Sequence, residues 1–173
     1  MKHVINSFIL PQDASIFMKY YDAHTHLCYD NRKPHSHRNL HYHTIPSKKI
    51  KNLLDYYENK IIYFIDHYFQ TKTEPFNEPR LVRWSKDESM PHHRDQRHSH
   101  GDNMDYSALS YLNDNYEGGE LFFEDGDVFK MKALSTIIFP SPKPYGHGVK
   151  KIIKGKRYTI PSWYQIKKRV HYR

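Results

Sequence analysis

The 173-residue chain carries 27 Lys and Arg against 19 Asp and Glu, a formal charge of +8, together with 14 histidines and a single cysteine. That length favours one domain over residues 1–173 with a sizeable core, and 38% hydrophobic with 15% aromatic content excludes a wholly disordered chain. No apolar run approaches the roughly 20 residues of a membrane-spanning helix, Met1 to Pro11 lack the pattern of a secretory signal, and Cys28 has no internal partner for a disulfide, so the expectation is a soluble, cytoplasmic protein without membrane contact. The basic balance suits an acidic partner and says nothing about fold.

Pro11 stands at a plausible first helical position, and Ile16, Phe17, Tyr20 and Tyr21 follow at helical spacing, which predicts a short helix over 11–22. Residues 23–46 lose periodicity and collect His24, His26, His35, His37, His41 and His43, which reads as a loop-rich segment. From Ser47, a reasonable N-cap, Ile50, Leu53, Leu54, Tyr57, Ile61, Ile65 and Tyr68 recur every three or four residues, predicting a long amphipathic helix to about Phe69. Thr71 to Pro79 reads as a loop. Short β-rich pieces then follow at 80–86, 106–113, 119–124, 128–131, 134–139, 147–153 and 157–164, separated by Gly, Asn, Asp and Pro turns. Supporting helices over 11–69 and a run of strands over about 80–164 imply a mainly β, α+β layout built on a sandwich or barrel.

The chemistry lies between Met90 and Tyr164. On an extended strand His93 and Asp95 share a face, and both can grip one ion. His92 would face the other way. His147 opens a predicted strand 54 residues downstream, and two histidines with one carboxylate form the facial triad of non-haem Fe(II) oxygenases. Ten residues later Arg157 offers a fixed cation able to hold a carboxylate by two parallel hydrogen bonds. Ser107, Leu109 and Tyr111 share one face of their strand, as do Arg157 and Thr159 of theirs, so each set can point into a barrel.

His93-x-Asp95, Tyr111-Leu112-Asn113, Glu117-Gly118-Gly119-Glu120-Leu121, Ile138-Phe139-Pro140-Ser141, and His147 followed by Arg157, Tyr158 and Trp163 stand in one order across about 80–164. In these segments the chain resembles the Fe(II)- and 2-oxoglutarate-dependent dioxygenases, within them the prolyl-4-hydroxylase-like group. The resemblance implies a double-stranded β-helix, a jelly-roll barrel with Fe(II) bound by His93, Asp95 and His147. It implies 2-oxoglutarate as co-substrate, its far carboxylate paired with Arg157 and assisted by Tyr111 and Thr159. O2 is the oxidant, succinate and CO2 are products, and ascorbate is admitted as a reductant. The expected substrate is a peptide or protein side chain, with prolyl the best single choice.

Alternatives stand beside this. Oxidative demethylation of nucleic acid would use the same iron site and suit the basic charge, but the second arginine usual in such enzymes is replaced by Trp163. A non-catalytic metal-binding barrel would lack a triad member or the arginine, and neither is missing. His100-Gly101-Asp102 is a second His-x-Asp in a loop-like stretch. Trp84 stands where the family often has tyrosine, and Gly118-Gly119 reads as a turn. The His-x-His pairs at 24/26, 35/37 and 41/43 lack Cys partners and suit a substrate-covering loop better than a zinc site; the loops 28–46 and 95–105 are candidates for substrate contacts.

Overall fold

Helices form where the apolar spacing places them: α1 spans Pro11–Ala23 and α2 spans Lys48–Phe69. Ser47 Oγ accepts a hydrogen bond from the Ile50 amide at 3.4 Å, and Gln70 ends α2 in the left-handed region with φ 51°. Asp13 of α1 accepts a 2.7 Å hydrogen bond from the Tyr57 hydroxyl of α2, which itself accepts from the Leu10 amide. One buried phenol thus fixes both helices and the start of α1.

The computed structural model describes residues 1–30, 38–95 and 104–167. Its strands are β1 (His3–Ile5), β2 (Tyr29–Asp30), β3 (Arg38–His41), β4 (Thr73–Asn77), β5 (Arg80–Trp84), β6 (Met90–His93), β7 (Tyr106–Tyr111), β8 (Glu117–Gly118), β9 (Leu121–Phe123), β10 (Val128–Phe129), β11 (Thr136–Pro140), β12 (His147–Val149), β13 (Ile152–Lys154) and β14 (Arg157–Ile166). An eight-stranded sheet runs β1-β11-β7-β14-β5-β3-β2, with β4 also on β14, and a four-stranded sheet runs β10-β9-β12-β6. β13 and β8 form a separate ribbon, and every pairing is antiparallel.

Alternation along the large sheet produces two cores. Leu40, Leu81, Ala108, Ile138, Tyr158, Ile160 and Tyr164 pack against Phe17, Tyr21, Ile50, Leu54, Tyr57, Ile61 and Ile65 of the helices. The opposite face supplies Val82, Trp84, Tyr111, Ile137 and Phe139, which meet Leu121, Phe123 and Val149 of the small sheet inside the barrel. The helices therefore buttress one wall of a jelly-roll and leave its interior to the site.

Several boundaries differ from expectation. The Thr71 to Pro79 loop contains β4, an edge strand on which Pro75 is tolerated because the ladder shifts register opposite Trp163 and Tyr164. The loop-rich 23–46 segment contributes β2 and β3, with Asn39 and Leu40 buried. The 147–153 strand divides into β12 and β13 at the exposed Lys150 and Lys151. β6 stops at His93, so Asp95 sits in a bend beyond the strand rather than on it. Among the described residues no helix is long and apolar enough to cross a membrane.

Candidate active site

β6 and β12 are neighbours in the small sheet, and their register places His93 directly opposite His147, the ring centroids 4.5 Å apart. The ring of His93 has Nδ1 3.0 Å from the Pro91 carbonyl and that of His147 has Nδ1 3.1 Å from the Tyr145 carbonyl. Each Nδ1–H donates to backbone, which turns both Nε2 atoms to the same point. Asp95 lies there, with Oδ1 3.4 Å from His93 Nε2 and Oδ2 3.6 Å from His147 Nε2. Among the described residues these three form the one group of three His, Cys, Asp or Glu side chains that could hold a metal ion, their donor atoms all within 4.8 Å of one another. Phe139 and Phe123 wall the His147 ring at 4.9 and 5.8 Å.

The electrostatics suit a cation. Burial opposes ionisation of Asp95, but the hydrogen bond to His93, the nearby His147 and the Ser107 hydroxyl outweigh it and hold the carboxyl well below the usual carboxylate range. Burial lowers His147, favouring the neutral ligand form. For His93 burial, which lowers it, is outweighed by the adjacent Asp95, and the ring is raised from its ordinary value.

The second half of the site comes from β14 and β7, where Thr159 is in register with Tyr111 and Arg157 with Trp84 of β5. Arg157 is 0% exposed. Its Nη2 donates to the Tyr111 hydroxyl at 2.8 Å, and its guanidinium lies 4.7 Å from the Tyr111 ring and 5.5 Å from that of Trp84. Arg157 Nε and Nη1 and Thr159 Oγ1 are buried without a hydrogen-bond partner. Tyr116, whose phenol burial pushes up to about 12 against the effect of Arg157, is a further neutral neighbour. A buried guanidinium with two idle donors and no carboxylate is costly unless something anionic completes it. These residues fit a dicarboxylic 2-oxo acid, whose far carboxylate supplies that anion.

One cavity of about 90 Å³ joins the two halves, bounded by His93, Asp95, His147 and Arg157 and by apolar walls that include Trp84, Leu121, Phe139 and Val149. Trp84, placed where tyrosine was expected, presents its ring to the Arg157 guanidinium at 5.5 Å. Trp163 also lines the cavity and carries Arg80 over its ring at 4.5 Å.

Sequence reasoning missed two contributors. Gly119, read as a turn, has φ +69°, and a Cβ there would run into Ile152 and sit 3.2 Å from Arg157 Cδ. Its bareness makes room for the arginine stem as well as the turn. Ser107, noted only for its strand face, donates to Asp95. His92 turns away to Glu124, Nε2 to Oε2 3.4 Å, as its strand position predicts. The His100-Gly101-Asp102 pair and His35 and His37 lie outside the described residues. His24 instead stacks on Tyr20 at 4.0 Å and His43 reaches Glu78 at 3.2 Å, and among the described residues neither pair belongs to a group of three possible metal ligands.

Comparison with known proteins decides the family, since the sequence model of the 2OG-Fe(II) oxygenase superfamily matches residues 79–165. The chain belongs to this superfamily. Human prolyl 3-hydroxylase 2 is 41% identical over 68 residues, which is 36% of this chain and 10% of that protein; the chain thus spans about a tenth of the length of the curated relatives it matches. The viral collagen prolyl hydroxylase of Paramecium Bursaria Chlorella virus-1, solved with 2OG, superposes with a TM-score of 0.77 at 15% identity over 96% of both chains. A Pseudomonas putida prolyl-4-hydroxylase gives 0.74 at 15% identity over 96% of this chain and 93% of its own. As a 2OG-Fe(II) oxygenase the chain has the double-stranded β-helix that its resemblance implied, and its cofactor set is Fe(II) and 2-oxoglutarate.

Proposed function

We propose that this 2OG-Fe(II) oxygenase hydroxylates a prolyl residue of a peptide or protein, with His93, Asp95 and His147 holding Fe(II) and with Arg157, Tyr111 and Thr159 holding 2-oxoglutarate. Residues 1–173 act as one such domain, the helices over 11–69 supporting the barrel, and the lone Cys28 supports a reducing, cytoplasmic setting. When bound, iron and 2-oxoglutarate supply an O2-driven oxidation that places one oxygen atom in a C–H bond and the other in succinate, with loss of CO2.

The observation that carries this reading is the incomplete charge of Arg157, buried in the same cavity as the convergent triad. His93 and His147 present fixed Nε2 atoms because backbone carbonyls hold their Nδ1–H groups. Asp95 contributes one negative charge, so two neutral imidazoles and one carboxylate leave a divalent ion with residual positive charge for an anionic co-substrate. Arg157 draws the far carboxylate inward, and Thr159 Oγ1 can donate to the same group. Trp84, Leu121, Phe139 and Val149 exclude water from the anchor, which strengthens those interactions. Prolyl chemistry is supported by the local identity to prolyl 3-hydroxylases, and a peptide substrate by the kind of protein those relatives are. Trp163, in place of a second arginine at the cavity wall, leaves the nucleic-acid reading without a specific observation in its favour.

The test is incubation with Fe(II), 2-oxoglutarate, ascorbate and O2 across proline-containing peptides, reading the mass gain of one oxygen atom and, after hydrolysis, whether C3 or C4 carries it. Asp95→Ala and His147→Ala abolish the product and His100→Ala retains it. Succinate release without any oxidised peptide would overturn the prolyl assignment, and loss of metal binding in His100→Ala would overturn the triad.

A further inference from the structure

The Phe139-Pro140-Ser141 segment has a use that the functional reading above leaves aside. Ser141, one residue beyond β11, is 1% exposed, and Ser107 on β7 is 3% exposed. Ser107 Oγ lies 2.7 Å from Asp95 Oδ2 and 2.8 Å from Ser141 Oγ. Proton counting sets the direction. An ionised carboxylate only accepts and each hydroxyl has one proton to give, so Ser107 donates to Asp95 and its oxygen is left to accept from Ser141. Donation therefore runs Ser141 to Ser107 to Asp95, each step making the next a stronger donor.

Asp95 needs such a support more than the two histidines do. His93 and His147 are held by strand register and by backbone carbonyls, whereas Asp95 stands in the bend past β6, and the carboxylate torsion of an aspartate is broad and soft. Apart from the two imidazoles, Ser107 is the one side chain among the described residues that hydrogen-bonds this carboxylate. Ser107 itself is pinned in the large sheet, in register with Phe139 of β11 and Trp163 of β14. The Ser141 amide is tied to the Asp105 carbonyl at 2.9 Å. The relay thus anchors a loop carboxylate belonging to one sheet onto the rigid frame of the other.

We propose that Ser107 and Ser141 are positioning residues, a directed hydroxyl relay that holds the Asp95 carboxylate in place for the metal and occupies one lone pair of Oδ2. This rests on the triad reading of His93, Asp95 and His147.

The experiment is anaerobic Co(II) titration of the full chain, followed by calorimetry and by the visible Co(II) absorption bands, with the melting temperature recorded for each variant. Ser107→Ala weakens Co(II) binding by about 10- to 100-fold, the cost of losing a support behind a ligand, and shifts the Co(II) bands. Ser141→Ala has a smaller effect of the same sign. The double variant is no weaker than Ser107→Ala, because Ser141 acts through Ser107. Ser110→Ala is the control: its hydroxyl on β7 bonds Thr136 of β11 at 2.7 Å, equally buried but on the helix-facing side. It lowers the melting temperature comparably and leaves Co(II) affinity and bands unchanged. Wild-type affinity in Ser107→Ala, an equal loss in Ser110→Ala, or additive losses in the double variant each overturn the relay alone. Absence of Co(II) binding by the wild type overturns the triad and the relay with it.

Discussion

Replacing Arg157 with Met separates the anchoring role of this side chain from its structural one. The guanidinium is fully buried against the neutral phenols of Tyr111 and Tyr116, with Nη2 donating to Tyr111 and with Nε and Nη1 idle. Without a co-substrate, the variant loses hydrogen bonding of a charged donor to phenol, about 1.5–3 kcal/mol, but also removes an uncompensated buried charge. The two effects oppose each other, so the ligand-free protein should stay within about 2 kcal/mol of wild type. With 2-oxoglutarate the balance changes, because truncating one partner of a buried, hydrogen-bonded charge pair costs about 2–5 kcal/mol. That is roughly a 30- to 5,000-fold rise in Kd. The assay is thermal unfolding of the Mn(II)-loaded protein, where no turnover intervenes. At 100 times its Kd, 2-oxoglutarate stabilises wild type by about 2.7 kcal/mol, a rise of about 5–11 °C for a chain of this size. At the same concentration Arg157→Met should gain less than about 1 kcal/mol, under about 4 °C. A ligand-free loss of about 3–5 kcal/mol, as expected for breaking a pair already satisfied, combined with an undiminished 2-oxoglutarate shift, would refute the reasoning.

Two further outcomes follow from groups outside the triad. Burial, with Asp55 and Glu78 nearby, raises Glu58 to about 7, and its Oε1 has no hydrogen-bond partner. A carboxyl raised in the fold costs stability as pH climbs from its unfolded value towards 7, so Glu58→Gln should stabilise most at pH 8 and show no advantage at pH 4. Solvent reaching this half-buried group limits the gain to about 1 kcal/mol, or roughly 2–4 °C in Tm across a pH series; equal gains at both pH values would sink the assignment. Gly119→Ala must adopt a left-handed backbone, at about 1–2 kcal/mol, and press on Ile152 and Arg157 Cδ. It should lower Tm by at least roughly 2–8 °C and weaken 2-oxoglutarate binding together, whereas wild-type affinity would show that Arg157 does not depend on this space.

The parts of the fold that could be read from sequence are those where one physical requirement acts alone. Helix α2 is written in the spacing from Ile50 to Ile65 because a buried stripe on a helix must recur every three or four residues. Arg157 and Thr159, alternating with Tyr158 and Ile160, carry their inward and outward faces openly. Where requirements compete the signal fades. β4 contains Pro75 and Asn77, residues that speak for a turn, and is a strand only because β14 is long enough to recruit it at its edge. β6 reads Met-Pro-His-His, a composition set by ligand chemistry rather than strand propensity. His93, Asp95 and His147 were legible through their order and spacing ahead of Arg157, since ligand residue types are abundant in a chain with 14 histidines, and the structure brings the three together. Ser107 and Ser141 were not, since a serine's partner 12 or 34 residues away leaves no trace in local pattern.

β14 has one property whose consequence reaches beyond this site. Its run alternates the cavity-lining Arg157, Pro161 and Trp163 with the helix-facing Tyr158, Ile160 and Tyr164, and it is laddered to β5, β7 and β4 at once. A one-residue slip of β14 against β5 and β7 would exchange both faces, sending the guanidinium among the helices and Tyr158 into the barrel. Odd changes of register are therefore resisted there by foldability before catalysis is consulted. The exposed Asp125-Gly126 tip, where an added Cβ at Gly126 meets nothing within 4 Å, is the opposite case and offers a place to graft a tag or reporter.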